Sequence, residues 1–104
     1  MISATPPPPA RVQVVAREFS LAPSRRRIYA GRAIIELANF GEDAHDLRLQ
    51  RIGGAKVWGW RVAQSGDVVD RLVTLPPGRY TLWCSLGDHR SLGMVASFLV
   101  VRRR

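Results

Sequence analysis

Apolar and polar positions alternate in short runs along this chain, a pattern typical of half-buried β-strands. Val12, Val14 and Ala16 alternate with their neighbours and predict a first strand that runs to about Leu21. Residues 33–38 form an apolar run rich in β-branched side chains, which also favours a strand. Similar patterns predict further strands at 28–30, 45–50, 68–75, 80–84 and 95–101.

Residues 53–67 carry no clear period. Gly53-Gly54 opens this stretch and Trp58-Gly59-Trp60 lies in its middle, so we expect a long loop or a single helical turn. The whole pattern predicts an all-β, Greek-key antiparallel β-sandwich of about seven strands, without a long helix.

Length and composition fit one domain. The chain has 104 residues, of which 46% are hydrophobic, enough for a core. No apolar run approaches the ~20 residues of a membrane-spanning helix. We expect a Pro-rich linker at 1–10, which includes four consecutive prolines, a folded domain at 11–101 and a basic tail at 102–104.

The charge is strongly basic. Sixteen Lys and Arg residues oppose eight Asp and Glu residues, for a net charge of +8. Two arginine triplets, 25–27 and 102–104, account for much of the excess. Such a surface can attract acidic proteins, nucleic acid or anionic lipid, or it can simply be well solvated. The net charge says nothing about the fold.

Three residues with metal-binding side chains recur at five-residue intervals in a predicted loop: Cys84, His89 and Met94. A soft thiolate, an imidazole and a weak thioether together suit copper, which must be bound as both Cu(I) and Cu(II). The other histidine of the chain, His45, begins a predicted strand and supplies a fourth ligand. Two His, one Cys and a distant Met form the trigonal site with a long axial bond of electron-transfer copper proteins.

At these residues the sequence resembles the cupredoxins, the plastocyanin and azurin class of blue copper proteins. Residues 39–47 resemble the family's loop with the first histidine ligand, and residues 76–84 its Pro-Gly-x-Tyr strand into the cysteine. Residues 84–94, Cys-x4-His-x4-Met, resemble its ligand loop. The three segments occur in the family's order, and the resemblance covers residues 11–101.

The resemblance implies a one-electron carrier that binds one copper ion and is not an enzyme. It makes His89 the port through which electrons leave, with Leu86 and Leu92 as candidates for a surrounding apolar patch. Asp88 and Arg90 depart from a fully apolar patch.

Two further residues carry predictions. Asp46 directly follows the first histidine, and a carboxylate there would favour Cu(II) and lower the reduction potential. Tyr80 shares a strand face with Leu82 and Cys84 by the period of two, and we expect its hydroxyl to bond back to the main chain near a sandwich corner.

Other functions fit parts of the same sequence. The four ligands would also serve a copper carrier or resistance protein that does not shuttle electrons. Cys84 and His89 are a nucleophile and base for an enzyme, but no oxyanion-hole motif accompanies them and Met94 would have no role. The arginine triplets suggest a nucleic-acid or anionic-surface binder, although no nucleic-acid motif is present.

For partners and location we expect a redox partner protein with an acidic docking surface, no specific nucleic acid and a monomeric state. We expect an extracytoplasmic location, with a possible membrane tether through a segment preceding the prolines. The first ten residues do not have the pattern of a signal peptide.

Overall fold

The computed structural model describes residues 5–103, which form an all-β sandwich of two sheets. The nine strands are β1 (Ala10–Arg17), β2 (Ser20–Pro23), β3 (Arg27–Tyr29), β4 (Gly31–Asn39), β5 (His45–Arg51), β6 (Val57–Ala63), β7 (Val68–Leu75), β8 (Gly78–Trp83) and β9 (Val95–Val101). The four-stranded sheet has the order β2-β1-β4-β7 and the five-stranded sheet the order β3-β9-β8-β5-β6.

The predicted all-β sandwich is confirmed, with two corrections to its details. There are nine strands instead of about seven, and both sheets are mixed: β1 runs parallel to β4, and β3 runs parallel to β9. A parallel pair needs a crossover connection, and alternation along one strand does not reveal which distant strand becomes its neighbour or in which direction that neighbour runs.

Two local predictions are wrong. The first strand ends at Arg17; the chain reverses at Glu18 and Phe19 and returns as β2, so that Ala16 pairs with Leu21. The predicted loop at 53–67 contains strand β6 at 57–63, held by its pairing with β5. Its pattern is obscured in the sequence because Val57 and Val62 are apolar but exposed, whereas Trp58 and Trp60 are the buried positions.

The core lies between the inner faces of the two sheets. It includes Val12, Ile35 and Leu37 from one sheet and Leu49 and Phe98 from the other, all at most 2% exposed. Because inner and outer positions alternate along each strand, every strand contributes only its inward residues to this layer. The described part of the chain has no helix of the length and hydropathy that a membrane crossing requires.

Candidate metal centre

The site lies at one end of the sandwich, which we call the site end. There β8 ends at Trp83 before Cys84, β5 begins at His45, and β9 begins directly after Met94. The adjacent pairing of β8 with both β5 and β9 brings these three chain positions together.

Tyr80, Leu82 and Cys84 share the inward face of one chain segment, as predicted, and all are fully buried. The Tyr80 hydroxyl donates a hydrogen bond of 2.7 Å to the main-chain oxygen of Pro76, which confirms the predicted bond back to the main chain. Tyr80 therefore fixes the strand whose next inward position is the cysteine.

Three of the four predicted ligands converge: the Nδ1 atoms of His45 and His89 and the Sγ atom of Cys84. The two Nδ1 atoms are 3.3 Å apart, and the sulfur lies 4.0 Å from the nitrogen of His45 and 3.5 Å from that of His89. A point equidistant from these atoms lies about 2.1 Å from each, close to the ~2.0–2.3 Å of transition-metal bonds to nitrogen and sulfur. The group can hold one metal ion.

Met94 is buried at the same end of the sandwich. Its main-chain oxygen accepts from the Cys84 N–H at 3.2 Å, and its own N–H donates to the main-chain oxygen of His89 at 3.1 Å. The ligand loop is thus closed on itself by backbone bonds between the residues predicted to bind the metal. The axial role of the Met94 sulfur stays a prediction.

The other ring nitrogen of His45 has a partner that the sequence could not identify. While Nδ1 of His45 faces the cluster, its Nε2 lies 3.1 Å from Oε1 of Glu18. A carboxylate that accepts from Nε2–H leaves Nδ1 unprotonated and free for a metal, and it makes the imidazole a stronger ligand. No sequence motif identifies Glu18, because its contact with His45 depends on the turn between β1 and β2, which the sequence did not predict.

The carboxylate of Glu18 is held as an anion. The Asp43 N–H donates to it at 2.5 Å, and this main-chain bond is the largest cause that lowers the pKa of Glu18 from 4.5 to about 2. The hydrogen bond with His45 acts in the same direction. Glu18 therefore presents a negative charge to His45 at neutral pH.

The same turn also contacts the second histidine. The rings of Phe19 and His89 lie 5.1 Å apart between centroids, and a Cβ on Gly93 would lie 2.8 Å from the main-chain oxygen of Phe19. Gly93 also has a φ of 128°, which favours glycine. The turn at Glu18 and Phe19 thus packs closely against the ligand loop.

Asp46 is buried and bonded to the residue after the cysteine. Its carboxylate accepts from the N–H of Ser85 at 2.6 Å and from the Ser85 hydroxyl at 2.5 Å, and Arg48 lies 3.5 Å away. The Asp46 N–H faces the Cys84 sulfur at 3.5 Å. These bonds tie the start of β5 to the start of the ligand loop. Ser85 is a second site residue that the sequence did not single out.

Burial raises the pKa of the Cys84 thiol, with the nearby Asp46 carboxylate acting in the same direction. The thiol is therefore neutral without a metal, and a bound cation must displace its proton. His89 is only partly buried. Leu92, three residues further along the loop, is 51% exposed. Leu86 packs partly against the core, so the predicted apolar patch consists of one exposed and one half-covered leucine.

Comparisons with known proteins place the fold. No protein-family model and no curated protein matches the sequence. Auracyanin A, a "blue" copper protein from Chloroflexus aurantiacus, matches with a TM-score of 0.72 at 14% identity, covering 90% of this chain and 100% of that one. A purple cupredoxin from Nitrosopumilus maritimus matches with a TM-score of 0.62 at 18% identity, covering 86% and 98%.

An enzyme shares the same fold. A copper-containing nitrite reductase from Thermus scotoductus matches with a TM-score of 0.62 at 13% identity, over 89% of this chain but 31% of its own. At such identities the likeness concerns the fold alone. The chain has the cupredoxin fold, as the sequence resemblance implied.

Proposed function

We propose that this cupredoxin-fold protein binds one copper ion in a type 1 site and carries single electrons. The observation that carries the proposal is the triangle of two Nδ1 atoms and one sulfur, with sides of 3.3, 3.5 and 4.0 Å, in which His45 and Cys84 are buried and His89 is partly buried. A thiolate with two imidazoles, and Met94 as a weak fourth ligand, is the donor set that suits copper in both oxidation states. The one-electron chemistry would be that of the Cu(I)/Cu(II) couple.

The chain's own residues support transfer of electrons over chemistry on a substrate. Glu18 fixes His45, the Met94 backbone holds the ends of the ligand loop, and Asp46 holds Ser85. Ligands held in this way move little when the charge of the ion changes, which keeps the cost of reorganisation low. His89 is the ligand nearest to solvent and is the proposed port for electrons. Because a carrier of this kind needs no substrate, we propose no enzymatic activity.

Titration of the purified apoprotein with Cu(II) tests the metal. We expect saturation at one equivalent with an intense blue colour from the bond between the Cys84 thiolate and Cu(II). Cys84→Ser should bind without the colour, whereas Ser97→Ala, on the outer face of β9, should behave as wild type. A colourless wild-type complex would refute the type 1 site.

Electron exchange separates the carrier from the alternative, a copper-transport or resistance module. Cyclic voltammetry should show a reversible couple, and stopped-flow mixing with a reduced c-type cytochrome should oxidise the cytochrome rapidly. Slow exchange together with transfer of the ion itself to a chelating acceptor would favour copper carriage.

Iodoacetamide labelling tests the other alternative, an enzyme with Cys84 as nucleophile. We expect no labelling of Cys84 in the copper-loaded protein. At neutral pH we expect only slow labelling in the apoprotein, because the buried thiol there is protonated.

We further propose a monomeric, extracytoplasmic protein whose redox partner docks over His89. Exposed Arg90 follows the port directly, and its guanidinium lies 4.6 Å from the centre of the Trp83 ring. A partner with an acidic docking surface would contact Arg90, so Arg90→Gln should slow electron exchange at low salt and leave it unchanged at high salt.

A further inference from the structure

The positive charge of this protein is concentrated at the end opposite the site. We call this the arginine end and define it by Arg25, Arg27, Arg32, Arg102 and Arg103. Tyr29 of β3 pairs with Val101, the last residue of β9, while the metal ligands lie before the first residue of β9. Seven strand residues at about 3.3 Å each separate the two ends by roughly 23 Å.

Acidic residues are absent from the arginine end. Asp46 and Glu18 are bonded at the site, and Glu36 and Asp70 pair in the middle of β4 and β7. The remaining four, Glu42, Asp43, Asp67 and Asp88, lie in loops at the site end. Among residues 5–103, no arginine of the arginine end forms an ion pair with a carboxylate.

Three of these arginines surround one cavity. Arg25, Arg27 and Arg102 line a cavity of about 400 Å³ together with Tyr29. A phosphate group is a strong ligand for convergent guanidinium groups, because they donate several charge-assisted hydrogen bonds to its oxygens. The cavity therefore offers three guanidinium groups to the phosphate of a larger molecule.

The N-terminal segment reaches the same end. Arg32 donates to the main-chain oxygen of Pro7 at 3.0 Å, and β1 begins just beyond, at Ala10. Tyr29 is 50% exposed, with the guanidinium of Arg103 4.6 Å from its ring centre. A half-exposed tyrosine among arginines is typical of surfaces that meet lipid headgroups.

We propose that the arginine end binds the phosphate headgroups of an anionic membrane surface. Docked in this way, the protein directs His89 and the site end away from the lipid, where a partner can reach the port. Tyr29, the one exposed aromatic that the structure describes at this end, already has a guanidinium over its ring, so it offers little for stacking nucleic-acid bases. This binding is independent of the metal and of the proposed electron transfer.

Co-sedimentation of the apoprotein with vesicles tests the proposal. Vesicles of phosphatidylcholine with about one third phosphatidylglycerol should bind the protein, and phosphatidylcholine alone should not. The triple variant Arg25→Gln, Arg27→Gln, Arg102→Gln should bind on the order of 100-fold more weakly, since each basic residue at the surface is worth about fivefold.

The matched control removes the same charge elsewhere. The control is Arg17→Gln, Arg61→Gln, Arg71→Gln, three exposed arginines outside the arginine end, and it should lose less than about fivefold. Equal losses in both triple variants would overturn the proposal, because net charge alone would then explain the binding. Tighter binding to a single-stranded oligonucleotide than to the vesicles at equal salt, or micromolar binding of inorganic phosphate that displaces the vesicles, would also overturn it.

A second measurement needs no variant. With a paramagnetic headgroup label in the anionic vesicles, amide NMR signals of residues 25–29 should broaden and those of residues 85–93 should not. Broadening confined to the site loop would place the lipid at the wrong end and refute the proposal. Both experiments use the metal-free protein, so their failure leaves the proposed copper function intact.

Discussion

Glu18 brings a negative charge into contact with a histidine of the candidate metal centre. Its anionic carboxylate lies 3.1 Å from Nε2 of His45, on the side of the ring away from the sulfur. A negative charge at this place strengthens the imidazole as a ligand and favours the more highly charged ion. The carboxylate should therefore hold the reduction potential down.

Glu18→Gln keeps the size of the side chain and removes its charge. We expect the reduction potential of the copper-loaded protein to rise, by about 59 mV for each tenfold loss of preference for Cu(II). Voltammetry measures it, and Glu42→Gln, which removes an exposed charge in the β4–β5 loop, is the control. An unchanged potential in Glu18→Gln would show that this charge does not tune the site.

The same carboxylate makes folding stability depend on pH in the apoprotein. Its pKa is about 2 in the folded protein against 4.5 ordinarily, so its contribution is complete above about pH 4.5 and disappears as the pH falls towards 2. Urea unfolding of the wild type and Glu18→Gln should show a stability gap that closes over this range. A gap that stays constant from pH 5 to about pH 2 would contradict the lowered pKa.

Asp46 carries a second negative charge beside the site. Asp46→Asn keeps an oxygen that can accept from the Ser85 N–H, and the main-chain N–H that faces Cys84 is unaltered. Losing a charge a few ångströms from the ion should raise the potential on the order of 100 mV at an effective dielectric constant of about 20. A potential that stays constant or falls, while the spectrum keeps its intensity, would count against the prediction.

At the scale of elements, the turn between β1 and β2 covers the site. Glu18 reaches one histidine and Phe19 packs against the other, so one short turn touches both imidazole ligands. The loop before β5 leaves room for it, because a Cβ on Gly41 would overlap the Glu18 carboxylate. A single methyl group can therefore displace the Glu18 carboxylate without touching a metal ligand.

Gly41→Ala should push Glu18 away from His45. We expect the potential to rise as it does in Glu18→Gln, measured by the same voltammetry. In the double variant the two shifts should not add, because both remove one contact. Fully additive shifts would mean that Gly41→Ala acts by another route.

At the scale of the whole molecule, the two sheets are joined by a polar bond across the core. The Trp60 indole N–H, in β6 of the five-stranded sheet, donates to the Ile35 main-chain oxygen in β4 of the other sheet at 2.9 Å. Both residues are buried, so that oxygen has no ready substitute in water. The bond links the five-stranded sheet, whose strands lead to the predicted ligands, to the four-stranded sheet, whose turn between β1 and β2 contains Glu18.

Trp60→Phe removes the indole N–H that donates to the Ile35 oxygen. We expect the free energy of unfolding to fall by about 1 kcal/mol, the net contribution of one hydrogen bond, in addition to the effect of the smaller ring. Urea denaturation of the apoprotein measures it, and Trp58→Phe, with the same change of ring in the same strand, is the control. Equal losses in both variants would assign the effect to ring size alone.

Much of this protein was determined by the sequence itself. Alternation along most of the strands predicted an all-β sandwich, because an inward position every two residues is a local property. The chemistry of Cys84, His89 and Met94 within one loop, with His45 as the other histidine, predicted the ligand set, since donor types can be read without coordinates. The position of Tyr80 in its strand likewise predicted its bond to the main chain.

Only the tertiary structure decided the parallel pairings, the turn at Glu18 and Phe19, and the gathering of the arginines at one end. Each depends on which distant segments become neighbours, and the sequence separation of those segments carries no local pattern. Glu18 lies 27 residues from His45 along the chain, yet their side chains meet because β1 ends and β5 begins at the same end of the sandwich. Pairing of strands across the fold, and not the order of residues, set the surroundings of the metal ligands.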